Sequence, residues 1–203
     1  MKLLDAVKAP NPRRVRIFLA EKGVVVPSEM VDLAGKEHRG ERFREINPQR
    51  QVPVLVLDDG TAIAETMAIC RYIEEIHPEP NLFGADPVER AKVEMWNRFV
   101  ELGVFSQVSF VFRHGHPGMA GFEVPQVADW AEVNRGRALE QLAWLDGELG
   151  RRAFVAGDRF TVADITLLVA VDFMRAARIA LPEDLANLGR WYAEVSARPS
   201  AAA

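Results

Sequence analysis

Apolar and polar residues change rhythm along this chain, and the change divides it into two differently built halves. Lys2 to Val7 is a short extended run. After the loop Ala9-Pro10-Asn11-Pro12, the residues Val15, Phe18 and Leu19 recur at helical spacing as far as Gly23. Pro12 suits the first helical position and Asn11 the N-cap before it. Val26 to Leu33 predicts a second strand, followed by the polar loop AGKEHRGE and a short helix around Phe43 to Ile46. Val52-Pro53 opens a further extended run, VLVL. Asp58-Asp59-Gly60 then supplies a turn and TAIA alternates back, so this stretch reads as a β-hairpin. A helix begins at about Thr66, with Ile69, Ile73 and Ile76 on one stripe and Cys70 beside them.

Beyond Pro87 the rhythm is helical throughout. Glu89 to Phe112 carries Val93, Trp96, Val100 and Val104 at helical spacing, a polar loop spans Arg113 to Val124, and a long helix covers about Ala128 to Leu149 with Val133, Leu139, Leu142 and Leu145. The stretch Gly157 to Ile165 is a helix start. Thr161 as N-cap with Asp164 at N3 forms a capping box, and Phe160 and Ile165 occupy the positions of a hydrophobic staple. The helix it opens is apolar nearly all round, which places it at the centre of a bundle. A last helix runs from Pro182 to Val195. The domain reading is therefore residues 1–78, a linker at 79–87, and an all-α domain at 88–203. The order βαβα then ββα in the first demands a right-handed parallel unit with an antiparallel hairpin added, which is a thioredoxin-like α/β arrangement.

Composition narrows the function. The 203 residues are 49% apolar with a net charge of −4, enough to bury a core and with no basic field for nucleic acid. The start MKLLDAVKAP lacks the apolar core of a signal peptide, and the run Ile165 to Val171 is far too short to span a bilayer. A cytoplasmic protein with no membrane partner is expected. The single cysteine, Cys70, excludes an internal disulfide and a C-x-x-C redox pair, and its place on an apolar helix face reads as inert core.

The candidate chemistry lies at residues 47–76. A cis Val52–Pro53 bond would leave the Val52 N–H and C=O facing outward, free to pair with an extended ligand. At Glu65-Thr66 the new helix exposes orphan N–H groups, a seat for a carboxylate, and a buried Glu65 could hold an ammonium. Those groups suit an α-amino acid head followed by a peptide-like backbone. The alternative is an edge strand begun by Pro53 and an ordinary N-cap at Thr66.

Asn47, Pro48, Gln51, Val52, Pro53, Leu55, Gly60, Ile63, Glu65, Thr66, Ile69, Tyr72 and Ile73 together form a pattern that resembles the glutathione-binding half of the cytosolic glutathione transferases. Gly157, Asp158, Phe160, Thr161, Ala163 and Asp164 resemble the folding motif of that family's second domain, which makes Asp164 structural. The resemblance implies a homodimeric enzyme that presents the glutathione thiolate to a small hydrophobic electrophile, with glutathione as co-substrate and no metal. Reduction of disulfides or peroxides at the same site, or a non-enzymatic binding module, are the alternatives. Gln51, Val52, Pro53, Glu65 and Thr66 would hold the tripeptide, and Lys36 or His38 matches the position that meets its glycine carboxylate. The family's usual Tyr, Ser or Cys thiol partner is missing from the loop Lys8 to Pro12, and the sequence looks most like an atypical bacterial and yeast class. Asn11 is the nearest match, as thiolate donor or as helix cap. His114 and His116 are the second-domain candidates, either orienting a water near the sulfur or forming a solvated loop pair, since H-x-H without a third ligand makes a poor metal site. Phe105, Phe110 and Phe112 would serve the electrophile or the core. Arg50 departs from the family, which commonly has glycine there.

Overall fold

Leu3 and Leu4 are almost wholly withdrawn from solvent, so strand β1 (Lys2–Asp5) needs cover on both faces and neighbours on both edges. It obtains them in a computed structural model that describes residues 1–203. Helix α1 (Pro10–Lys22) follows, and Gly23, at φ 63°, ends it by letting its own N–H and that of Val24 reach back to Ala20 and Leu19. Strand β2 (Ser28–Met30), helix α2 (Glu41–Ile46), strands β3 (Val54–Val56) and β4 (Ala62–Ala64) and helix α3 (Thr66–Ile76) complete the α/β part. The sheet order is β2-β1-β3-β4, with β1 parallel to β2 and antiparallel to β3, and β3 antiparallel to β4. This is the thioredoxin-like arrangement that the element order demanded.

Two details differ from the sequence pattern. β2 is three exposed residues rather than Val26 to Leu33, because it is an edge strand paired only with β1. Val31 N–H still donates to the Asp5 carbonyl at 2.8 Å, and Val31 and Leu33 pack with Leu4, Phe43 and Val54. On α3, Ile69 and Ile73 are buried but Ile76 is 44% exposed. Glu74 turns inward instead, where it pairs with Lys22 of α1, whose side chain is fully enclosed and also donates to the Pro80 carbonyl at 2.6 Å. A buried charge of either sign needs such a partner.

The remaining helices are α4 (Pro87–Val100), α5 (Ser106–Gly115), α6 (Ala128–Leu149), α7 (Val162–Met174) and α8 (Ala186–Ser196). The pattern that predicted one helix over Glu89 to Phe112 is broken by a π turn, Glu101–Phe105. The Ser106 hydroxyl and the Gln107 amide donate to the carbonyls of Glu101 and Leu102, five residues back in each case. On α6 the inward residues are Ala131, Asn134, Ala138, Leu142, Leu145 and Leu149, while Val133 is 48% exposed and Leu139 half-buried. α8 starts later than Pro182, where Asp146 of α6 accepts the N–H groups of Asn187 and Leu188. α7 is buried along almost its whole length. The chain divides into two compact units, residues 1–81 with 199–203, and residues 82–198. In the first, the terminal turn Pro199–Ala202 is tied to α1 by Ser200 to Glu21 and by Arg13 to the Ala201 carbonyl.

The second unit is centred on Asp164, which is fully buried. Its carboxylate accepts from the N–H groups of Val155 and Thr161, the Thr161 hydroxyl and the Trp191 indole, at 2.9–3.1 Å. Burial pushes this carboxyl up to about 6 against the pull of those four donors, so at neutral pH the donors clasp a carboxylate. The capping box is present, with its staple residues Phe160 and Ile165 both buried. Asp164→Ala should therefore cost more than about 3 kcal/mol in urea unfolding, since it orphans several buried donors. Thr161→Ala, which removes the cap and one of the four donors to Asp164, should cost about 1–2 kcal/mol.

Candidate active site

Asn47 organises the loop into β3. It is 4% exposed; its Nδ2 donates to the Gln51 carbonyl at 2.9 Å, its Oδ1 accepts from Gln49 N–H at 3.1 Å, and its carbonyl accepts from Arg50 N–H at 2.8 Å. The pinned loop delivers Gln51 exposed, Val52 half-buried and Pro53 buried. The Val52–Pro53 bond is cis, and neither the N–H nor the C=O of Val52 takes a protein partner.

The start of α3 is an array of backbone donors. Its first hydrogen-bonded amide is Ile69, which reaches the Glu65 carbonyl at 3.0 Å. The N–H groups of Thr66, Met67 and Ala68 take no protein acceptor and lie at the positive end of the helix. Glu65 sits just before them at φ 70°, ψ 125°, a backbone that costs an L-residue on the order of 1–3 kcal/mol. It is exposed, so the expectation of a buried glutamate is corrected: the buried member of the pair is Thr66, 5% exposed. The Thr66 hydroxyl donates to the Asn11 carbonyl at 3.5 Å, which joins the first turn of α3 to that of α1.

At α1 the cap differs from the sequence reading. Ala9, not Asn11, is the N-cap, and Pro10, not Pro12, is the first helical residue, because Ala9 holds the extended backbone and accepts from Arg13 N–H. Asn11 therefore stands inside the first turn, between two prolines that have no N–H. Ala9 N–H is already bonded to the Ala6 carbonyl. The Asn11 backbone N–H is thus the one unengaged donor of that turn, and its side-chain oxygen accepts from Arg14 at 3.3 Å.

The other candidates are placed less centrally. Lys36 is exposed at φ 60°. His38 is half-buried, and burial, then the nearby Arg39, pushes its imidazolium below the usual histidine range. In the second unit His114 and His116 are loop clasps. His114 Nδ1 accepts from Val127 N–H at 3.1 Å with Nε2 3.8 Å from Glu123, and His116 Nδ1 accepts from Gly118 N–H at 3.0 Å. With its side chain 13% exposed, His114 is not part of a solvated pair. Phe105 is buried and stacks with Phe173, which also meets Phe112, while Phe110 packs on Trp130. Cys70 is fully buried and burial pushes its thiol up to about 12, which makes it inert. The orphan amides expected at this helix start are those of Thr66, Met67 and Ala68, whereas Asn47 entered the sequence reading only as part of the motif and acts here through its side-chain amide.

Known proteins are similar to this chain in sequence and fold. Residues 9–76 match the model of the glutathione S-transferase N-terminal domain and residues 109–199 that of the C-terminal domain. Glutathione S-transferase 2 of Saccharomyces cerevisiae is 37% identical over 203 residues, covering 98% of this chain and 87% of the relative. The chain belongs to the glutathione S-transferase family. It is a transferase by that membership. The crystal structure of a glutathione S-transferase domain-containing protein from Marinobacter aquaeolei superposes with a TM-score of 0.95 at 43% identity, covering 98% and 99% of the two chains. That of Gtt2 from Saccharomyces cerevisiae gives 0.94 at 37%, covering 98% of each. Maleylacetoacetate isomerase of Pseudomonas aeruginosa is 33% identical over 177 residues, covering 83% of this chain and 78% of that one.

The departure of Arg50 from the family's glycine now has a physical meaning. Arg50 lies at φ 55°, the left-handed region in which a Cβ is strained. Arg50→Gly should raise stability by up to about 1 kcal/mol in urea unfolding, the relief of strain exceeding the extra freedom of the unfolded glycine chain.

Proposed function

We propose that this transferase binds glutathione on its first unit and joins the ionised sulfur to a small hydrophobic electrophile. The observation that carries the reading is two sets of unengaged backbone groups on segments that the β3–β4 register sets side by side, with Val54 opposite Ala64. Val52 offers an N–H and a C=O of the kind an extended peptide pairs with, and the amides of Thr66, Met67 and Ala68 offer three donors to a carboxylate. In this reading the γ-glutamyl carboxylate occupies the α3 terminus beside Thr66 and Glu65, the cysteinyl backbone pairs with Val52, and Gln51 and Pro53 line the strand. Lys36 or His38 meets the glycine carboxylate.

Ionising the thiol is within reach of such a site. Moving a thiol of pKa about 8.5 down by two units takes roughly 2.7 kcal/mol. A hydrogen bond to a charged sulfur contributes about 1.5–3 kcal/mol and the end of a helix about 0.3–1 kcal/mol. The start of α1, with the Asn11 N–H, supplies both kinds of contact, so no general base is needed. The likeness to maleylacetoacetate isomerase favours a second reading, isomerisation of a small molecule at the same site. Two copies of the chain form the working unit in the proposal; sedimentation of only a 22.7 kDa species at micromolar concentration would sink that part.

Glutathione should bind saturably at millimolar or lower concentration, and an aryl halide should be turned over faster than a hydroperoxide or a mixed disulfide. The reverse order would make reduction the main activity, and no binding would leave a non-enzymatic module. Thr66→Ala removes the hydroxyl that ties the first turn of α3 to the Asn11 carbonyl; loosening those amides should weaken glutathione on the order of tenfold, the worth of one hydrogen bond to a charged group. His38 separates the two candidates for the glycine end. Its pKa starts low and an adjacent carboxylate would raise it, so glutathione affinity should be highest in acid and fall as pH rises through the bound value. A profile unchanged by His38→Gln assigns that contact to Lys36.

A further inference from the structure

Arg14 is 1% exposed, on the inward face of α1 and three residues after Asn11, the spacing that brings helical side chains together. A buried guanidinium must be held by partners, and Asn11 is one of those of Arg14. Its Nη1 donates to Asn11 Oδ1 at 3.3 Å. Guanidinium has donors and no acceptor, so only the oxygen of the Asn11 amide can face it. The NH₂ end of that amide is left directed elsewhere, and Asn11 Nδ2 takes no protein acceptor. Asn11 is also held through its backbone, because its carbonyl accepts the Thr66 hydroxyl.

We propose that Arg14 is a positioning residue: it fixes the Asn11 amide so that Nδ2–H, beside the Asn11 backbone N–H, is presented to the glutathione sulfur. Pro10 and Pro12 remove the other amides of this turn, so these two donors on one residue are what the helix start can offer an anion. An asparagine free to flip would present its oxygen for part of the time and repel a thiolate. Arg14 removes that state. The inference rests on the glutathione reading above and deepens it by assigning the thiolate donor and the side chain that orients it.

The test is the pH titration of the thiolate absorbance of glutathione bound to the full-length protein, with glutathione affinity measured alongside. Asn11→Ala should raise the bound thiol's pKa by roughly one unit, about a tenfold loss of thiolate at neutral pH. Arg14→Met should raise it by a similar amount with affinity changed far less, the double variant should show no further rise, and Arg14→Lys should recover part of the effect. A folded Arg14→Met with the thiol pKa unmoved, or effects that add in the double variant, would overturn the assignment. Asn11→Asp keeps a partner for Arg14 and covers the case in which Arg14→Met does not fold. With one oxygen held by Arg14, the other would face the sulfur, and the thiol pKa should rise beyond the value in Asn11→Ala; a rise no larger than that overturns the proposal. Wild-type protein that binds no glutathione would sink both readings, whereas binding with an unmoved thiol sinks only this one.

Discussion

Two helices that begin side by side cannot cap one another. Thr66 joins the first turns of α1 and α3 through its hydroxyl and the Asn11 carbonyl, and the amides at both starts point outward from the ends they belong to. Their positive ends therefore lie together with few acceptors in the protein. The rest of the first unit sustains that juxtaposition. Lys22 and Glu74 pair in the interior between the same two helices, and Val15, Phe18, Ile69 and Ile73 close the seam around them. An anion placed at the helix starts replaces acceptors that the fold withholds.

The two starts are unequal, and the inequality separates their roles. α3 presents three successive amides, the array that suits a carboxylate. At α1 the prolines leave a single backbone N–H and a side-chain amide held by Arg14. A softer, larger anion such as a sulfur needs fewer donors and more room. The second unit is stabilised on a different principle. A carboxylate at its centre gathers the N–H groups of a turn, the cap of a helix and an indole from α8, so that one residue ties three chain segments.

Much of the site was legible from residue types. Gln51, Val52, Pro53 and Thr66 are where a strand-like ligand and a helix start were expected, because Pro53 and the alternation around it mark a hairpin edge. Other members were hidden for physical reasons. Glu65 was expected to be buried, yet it stands between β4 and α3 at φ 70° with its side chain exposed, a backbone that no residue pattern announces. Asn11 was expected at a cap by its residue type, but the helix starts two residues earlier, at Pro10. An arginine within an amphipathic helix reads as surface, so nothing in the pattern flagged Arg14 or Lys22. His114 and His116 stood out as a pair, although each is spent on a separate loop amide.

The order of elements, the thioredoxin-like sheet and the helical second unit follow from the local rhythm of apolar residues, and so does the capping box at Thr161 and Asp164. These are short-range matters, decided by period, caps and turns within a few residues. The tertiary structure alone decided which charges lie inside, which first-turn amides stay unengaged, and which way the Asn11 amide faces. The meeting of the two helix starts and the burial of the charges depend on groups brought together from distant parts of the chain, as Asn11 with Thr66 and Lys22 with Glu74. The facing of the Asn11 amide, by contrast, follows from Arg14 one turn on, a contact that residue type did not flag. Hydrogen bonding and burial across such a seam are properties of the packed pair, and one segment read alone does not contain its partner.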